Sequence, residues 1–586
     1  MARRLKTPSA YFIAVLLVAI AFFVGTSLFN YRTQHESLVK WNSPDETANY
    51  FFANRLATEG VIAQFEEANI VASDLVMPRS MRSDNGWLKP VSFLGLIILY
   101  GHLGALISPI IIPYLTPFFG ALGIIFFFLF LRRIFSERIA ALSAGLLAVF
   151  PVYFYYSLRS MFHNVLFLVM LIIGAYFLAV ALNRRYKPTK QHFFKDKPSW
   201  TTIKGWILII LSGFFFGWAI ATRTSEIIWL LPVLGIIALF YWRRLGFSRI
   251  LLFLVGLALA LLPTFYYNQL LYNSPFYGGY NEMNRSLETL SAAGNTFVVQ
   301  SGEAFRTALT NLGETIKGTV FYFGFKPEQS LAMFNYYVVQ MFPWLTIFSA
   351  LGFLILLLLN IKKPAKKYLV YLLSWVFLSV VLVFYYGSWR FTDNPNAASH
   401  TIGNSYTRYW LPIYLLALPL VALSWELMAR GLFFFVRRHR IYKWLVGGAL
   451  LGAYLIVACQ SFNFLIFNGE ESLSNLSFNM AADRQIGKTV LELTPPEAII
   501  LTQYHDKVLF PQRRVIMGLM HEPPYYPYLK KLLNHYPVYY LNFTYPENDL
   551  NYLNTSRLPE FGLQLEPLEF IGRDFTLYQL KSLNHE

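Results

Sequence analysis

Stretches of about twenty mostly apolar residues recur along this chain of 586 residues, and each is long enough to cross a bilayer as a helix. They lie near 11–30, 108–131, 138–157, 162–182, 205–222, 226–242, 249–267, 337–360, 368–386, 408–427 and 444–467. In hydrocarbon every backbone N–H and C=O must be paired within the protein, so eleven such runs predict a helical bundle. A further apolar stretch, 90–106, is expected to lie on the membrane surface or re-enter it, because counting it as a crossing would put every later basic cluster on the wrong side.

Those clusters set the predicted orientation. With the N-terminus cytoplasmic, Arg132/Arg133, Arg184/Arg185/Lys187, Arg243/Arg244, Lys362/Lys363/Lys366/Lys367 and Arg437/Arg438/Arg440/Lys443 all fall on the cytoplasmic side. The net charge of +17 therefore follows from topology and does not point to nucleic acid, which would call for a basic face. With 56% hydrophobic and 14% charged residues, the chain also falls well outside soluble composition. The first run exceeds a signal peptide's apolar core, so it reads as an uncleaved span. The lone Cys459 allows neither an intrachain disulfide nor a cysteine metal site.

The predicted architecture is a membrane domain, 1–467, with an outer loop at 31–107 carrying interfacial helices, followed by an extracytoplasmic α/β domain, 468–586. From residue 470 the chain has 10 Lys and Arg against 14 Asp and Glu and no long apolar run. The segments "EAIILTQY", "PVYYLNF" and "DFTLYQLK" read as its strands.

Within the outer loop, "WNSPDETANYFFANRLATEG" (41–60) reads as a capped amphipathic helix. Ser43 is the N-cap, Pro44 the first helical residue, Glu46 closes a capping box and Gly60 ends the helix. Capping does not require Asp45. An acid beside an interfacial helix is a candidate for chemistry, since desolvation there must be offset by function or by pairing. Three arginines fall on the same predicted side: Arg159 with His163 between the third and fourth spans, Arg223 with Glu226 between the fifth and sixth, and Arg408 with Tyr409 at the tenth. Each alone fits an interfacial anchor. Together they suit an anionic lipid headgroup.

The layout resembles the GT-C superfamily of integral membrane glycosyltransferases, in particular its protein O-mannosyltransferase and aminoarabinose transferase branch. The resembling segments are "SPDETANY", "WLKPVSFLGLIILYGHLGAL", "LLPTFYYNQLLYNSPFYGGY" and "TRYWLPIY", in order along the membrane part. The resemblance implies transfer of a sugar from a polyprenyl- or dolichyl-phosphate donor to a lipid, glycan or protein acceptor at the extracytoplasmic side. Asp45 would then be the general base, Glu46 a supporting acid or cap, and Arg408, Arg223, Arg159, His163 and Tyr409 would bind the lipid-phosphate donor. The implied setting is the plasma (inner) membrane.

The turn "SLRSMFHNV" lacks the acid that many relatives carry there, which weighs against a carried-over acidic pair. The residues assign no cofactor with certainty. A divalent metal stays open, with Asp74, Asp84, His102 and His163 as conceivable ligands in no diagnostic spacing. The absence of a "WWDYG"-like sequence speaks against the oligosaccharyltransferase branch. Two other function classes remain in view. A lipid or sugar transporter or flippase would show mid-bilayer polar groups or repeats, and an inactive GT-C-like binding subunit would fit the missing acid.

Overall fold

The computed structural model describes residues 9–34, 41–183, 200–279, 322–391, 393, 399–572 and 574–583. The cluster Arg184/Arg185/Lys187 and most of the stretch between the seventh and eighth runs lie outside the described residues. Among the described residues, nine helices are long and apolar enough to cross a membrane, or ten if one bent pair is a single span.

The eleven runs account for that count. The third run is the bent pair Glu137–Val149 and Pro151–Leu158, angled by 55°. Its cause is local: Pro151 cannot donate to the preceding turn, and Phe150 before it takes an extended ψ of 120°. The sixth and seventh runs share one 49-residue stretch, 224–272, interrupted at Tyr241 and at Gly246, where φ is 59°. The eighth span starts later than its predicted position, at Pro343, after a helix Pro327–Phe334 and a π turn Asn335–Gln340. The tenth starts at Leu411 and leaves Arg408 in a short helix of its own, Ser405–Tyr409. The stretch around 90–106 forms a helix of 13 residues, Leu94–Leu106, about 20 Å long and too short to cross.

Contacts divide the chain into two compact units. The first, residues 1–29, 116–262 and 295–473, is helical. Its helices approach closely where side chains are absent. A Cβ on Gly213 would sit 2.0 Å from the Phe253 carbonyl oxygen, and one on Gly256 would sit 2.1 Å from that of Ile210, so glycine at both positions lets two helices touch backbone to backbone.

The second unit joins 30–115 and 263–294 to 474–586. Within this unit, residues of segment 64–90 pack into the C-terminal fold. That segment forms a small sheet of β1 (Gln64–Phe65), β2 (Met81–Asp84) and β3 (Trp87–Pro90), in the order β1-β3-β2. The main sheet holds β4 (Ile499–Thr502), β5 (Arg514–Met517), β6 (Val538–Phe543), β7 (Leu563–Ile571) and β8 (Phe575–Ser582), ordered β5-β4-β6-β8-β7. β4, β5 and β6 are parallel, while β7 and β8 add an antiparallel edge. Ala68, Ala72 and Val76 join Ile499, Leu501 and Tyr540 in one core, and Met77 bridges to Ile516.

Candidate functional site

Asp45 stands in the first turn of the helix Pro44–Glu59. The turn forms as its residue types dictate. The Ser43 backbone N–H donates to the Glu46 carboxylate at 3.0 Å, Pro44 opens the helix, and Gly60 closes it in the left-handed conformation at φ 75°. Glu46, 1% exposed, is thus committed to the cap. Asp45 is half-buried, and its Oδ1 accepts a hydrogen bond of 2.6 Å from the Ser80 hydroxyl.

The surroundings of Asp45 are held by residues far along the chain. Arg79, next to Ser80, donates its backbone N–H to Asp506 at 2.8 Å and its guanidinium to both oxygens of the same buried carboxylate. Lys507 donates to the carbonyl of Asn42 at 2.7 Å, and Phe510 meets Phe51 edge to face at 4.8 Å. Segment 506–510 therefore grips the chain on both sides of Asp45.

The three arginines converge in the helical unit. The Arg159 and Arg408 guanidinium carbons lie 4.8 and 4.6 Å from the Phe162 ring centre. Arg408 and Arg223 lie 5.2 and 4.6 Å from that of Tyr409. Two aromatic rings thus link three cations in the order Arg159, Phe162, Arg408, Tyr409, Arg223. Arg159 and Arg223 are 5% and 4% exposed. Arg223 donates to Glu226 at 2.9 Å, and both bond the Tyr386 hydroxyl, whose ring stacks on Tyr409 at 4.5 Å. Arg408 donates to Ser405 at 2.8 Å, and its carbonyl accepts from Asn164. His163 opens the helix His163–Asn183 and is itself buried. Arg223, Arg408 and Tyr409 line one small pocket together with Leu168 and Pro412.

Pro412 and Leu168 also line a larger apolar cavity of about 190 Å³, walled by residues such as Phe127, Leu230, Val233 and Leu415. It extends to Arg133 and Lys367. Leu378 and Lys367 both line it and are eleven residues apart on one helix, so it runs roughly 16 Å along that helix. A long apolar slot that begins beside a guanidinium cluster suits a lipid tail and its anionic head.

Three of the four conceivable metal ligands serve other ends. Asp74 accepts from Ser83 Oγ and from the N–H groups of Asn85 and Gly86, which builds a turn. Asp84 pairs with Lys89 at 2.8 Å, and His102 Nδ1 contacts the Ile98 carbonyl at 2.7 Å. Among the described residues no three His, Cys, Asp or Glu side chains gather into a metal-binding group. Phe162, Tyr386 and Trp229, whose indole donates to Glu226, are site residues that the sequence did not single out. Each adjoins an arginine or acid that it did, in a chain where aromatics are too common for adjacency to signal.

No protein-family model matches the chain, and no curated protein does. Among solved structures it is similar in fold to the oligosaccharyltransferase of Archaeoglobus fulgidus with zinc and sulfate, at a TM-score of 0.53 and 14% identity over 95% of this chain and 72% of that one. The archaeal oligosaccharyltransferase AglB from Archaeoglobus fulgidus, with an inhibitory peptide and a dolichol-phosphate, gives a TM-score of 0.50 and 13% identity over 94% and 72%. ArnT from Cupriavidus metallidurans bound to undecaprenyl phosphate gives 0.48 and 12% over 96% and 97%. The chain has the GT-C fold that its sequence resembles. That likeness includes an oligosaccharyltransferase, and as a likeness of fold it does not choose between branches.

Proposed function

We propose that this chain is a glycosyltransferase that moves a sugar from a polyprenyl-phosphate carrier to an acceptor at the extracytoplasmic face of the plasma membrane. The observation that carries the reading is the convergence of Arg159, Arg223 and Arg408 on two shared rings beside a long apolar slot. A phosphate headed by guanidinium donors and followed by a polyprenyl tail fits both features. An archaeal protein of the same fold has been captured with a dolichol-phosphate, which lends support.

In this reading Asp45 is the general base. It takes the proton of the acceptor hydroxyl while that oxygen bonds to the anomeric carbon. The bond from that carbon to the phosphate oxygen breaks, and its electron pair leaves on the phosphate. The arginines stabilise the charge that grows there, with Tyr409 and His163 beside them. One displacement inverts the anomeric configuration. Glu46 caps the helix that presents Asp45.

The test incubates membranes containing the chain with a panel of polyprenyl-phosphate sugars and identifies glycosylated products by mass spectrometry. A product that appears with one donor and carries the inverted linkage supports the reading. Transbilayer movement of the lipid with no glycosidic product from any donor would replace it with transport.

A further inference from the structure

The helical unit holds a second cavity, about 340 Å³ in volume, that the transfer mechanism does not use. One wall is aromatic. Tyr337 and Phe391 each lie 5.0 Å from Tyr406 between ring centres, and Tyr336 stacks on His400 at 3.9 Å. The π turn Asn335–Gln340, in which Met341 N–H donates to the carbonyl of Tyr336 five residues back, brings two consecutive tyrosines to the same chamber. Such turns recur at functional sites. The remaining wall is polar, with the amides of Gln329 and Asn404 and the guanidinium of Arg390.

This lining selects a chemistry. Flat rings offer apolar faces, and planar amide and guanidinium groups present paired hydrogen-bonding atoms at fixed spacing. Gln329 donates to the Gly387 carbonyl and Asn404 Oδ1 accepts from the Tyr406 N–H, which fixes both amides in place, and a lipid tail would make no use of this polar wall. A phosphate would want the several guanidiniums found elsewhere. A pyranose ring presents both surfaces at once, an apolar C–H face and a rim of adjacent hydroxyls, and the volume lies at the small end for ligand cavities.

The chamber has a different lining from the arginine cluster, although its Phe391 meets the Tyr409 ring at 5.2 Å. Tyr406 and Arg408 are two positions apart on one short helix, so they point to different sides. Tyr406 faces the chamber, while Arg408 faces Phe162 and Tyr409.

We propose that this chamber binds one pyranose ring of a saccharide. Its source rests on the transfer reading and is either the acceptor glycan or a distal sugar of the donor; its chemistry stands without that reading. The experiment titrates the full chain in lipid nanodiscs with free hexoses and disaccharides, and separately with a polyprenyl-phosphate disaccharide, by saturation-transfer NMR.

Saturable binding of a free sugar near about 1 mM is expected, weakened about tenfold in Tyr336→Ala and in Gln329→Ala and retained in Tyr336→Phe. An unchanged thermal midpoint and unchanged polyprenyl phosphate binding show that the variants are folded. Saturation of a free disaccharide places the acceptor in the chamber, and saturation confined to the lipid-linked sugar places the donor there. No saturable sugar binding, binding indifferent to both alanine variants, or preference for choline over every sugar would overturn the proposal. If the wild-type chain binds sugar but not polyprenyl phosphate, the transfer reading fails and the chamber stands.

Discussion

The guanidinium of Arg79 closes over the fully buried carboxylate of Asp506, 427 residues further along the chain, at distances from 2.5 to 3.1 Å. Next to Arg79, the Ser80 hydroxyl donates to Asp45. The C-terminal fold thereby holds the turn that touches the proposed base. Removing either partner leaves a charge or donor without its match, so Asp506→Ala and Arg79→Ala should each lower stability by about 3 kcal/mol. Denaturant unfolding of the double variant should show a loss well short of the sum, since the two changes break one interaction. Additive losses would mean that the pair is not coupled. Asp506→Asn should also lower kcat for sugar transfer more than it raises KM for the donor.

Asp45 and Glu46 are adjacent acids with different tasks, and substitution should separate them. Asp45→Asn keeps a side chain that can pair with Ser80 and removes the base, so transfer should be abolished with the thermal midpoint and lipid-phosphate affinity held. Glu46→Ala removes the acceptor of the Ser43 N–H and should lower stability by about 1 kcal/mol while transfer persists. The reverse pattern, with Glu46 essential and Asp45 dispensable, would exchange their roles.

Much of this was legible in the chain. Ser43, Pro44, Glu46 and Gly60 each occupy their expected place because helix ends are set by local chemistry. β4 and β6 fall within "EAIILTQY" and "PVYYLNF", whose apolar runs are continuous, and β8 covers all but the first residue of "DFTLYQLK" and extends to Ser582. β5 is four residues long and begins on the second of two arginines, and β7 carries Pro567 and a bulge, so neither showed a clean alternation. The packing of Ala68, Ala72 and Val76 into the C-terminal core was not readable, because it is a contact across more than four hundred residues between small, ordinary side chains. The three arginines were visible one by one. Their linkage through Phe162 and Tyr409 was not, since it depends on where three separate turns meet.

Arg408→Gln removes one of three guanidiniums while leaving the paired Arg223 and Glu226 in place. Affinity for polyprenyl phosphate, measured in nanodiscs, should drop by roughly 10- to 100-fold, the range for a charge-assisted hydrogen bond. Arg223→Gln should in addition lower stability, because it leaves the buried Glu226 without its cation. Unchanged lipid affinity in both variants would move the headgroup elsewhere.

His505 is buried and lies edge-on to Phe575 at 4.5 Å. Burial pushes its pKa down to about 4, although Asp483 and Asp506 draw it up, with Lys507 and Arg79 adding to the depression. The unfolded chain then binds more protons than the folded one between pH 4 and about 6.5. Stability should fall as pH is lowered through that window, by up to about 3 kcal/mol, and level off for this group below it. Thermal unfolding against pH should show this slope in the wild-type chain and a flatter one in His505→Gln.

In the proposed reaction Asp45 draws a proton from an acceptor while a lipid phosphate departs. The most direct measurement reconstitutes the purified chain with a polyprenyl-phosphate sugar it accepts, together with membrane extract as acceptor, and follows release of polyprenyl phosphate against formation of the glycosidic product. The wild-type chain should yield both in equal amounts with inversion at the anomeric carbon, and Asp45→Asn should yield neither while binding the donor as tightly. Equal turnover by Asp45→Asn, or a product with retained configuration, would contradict the account.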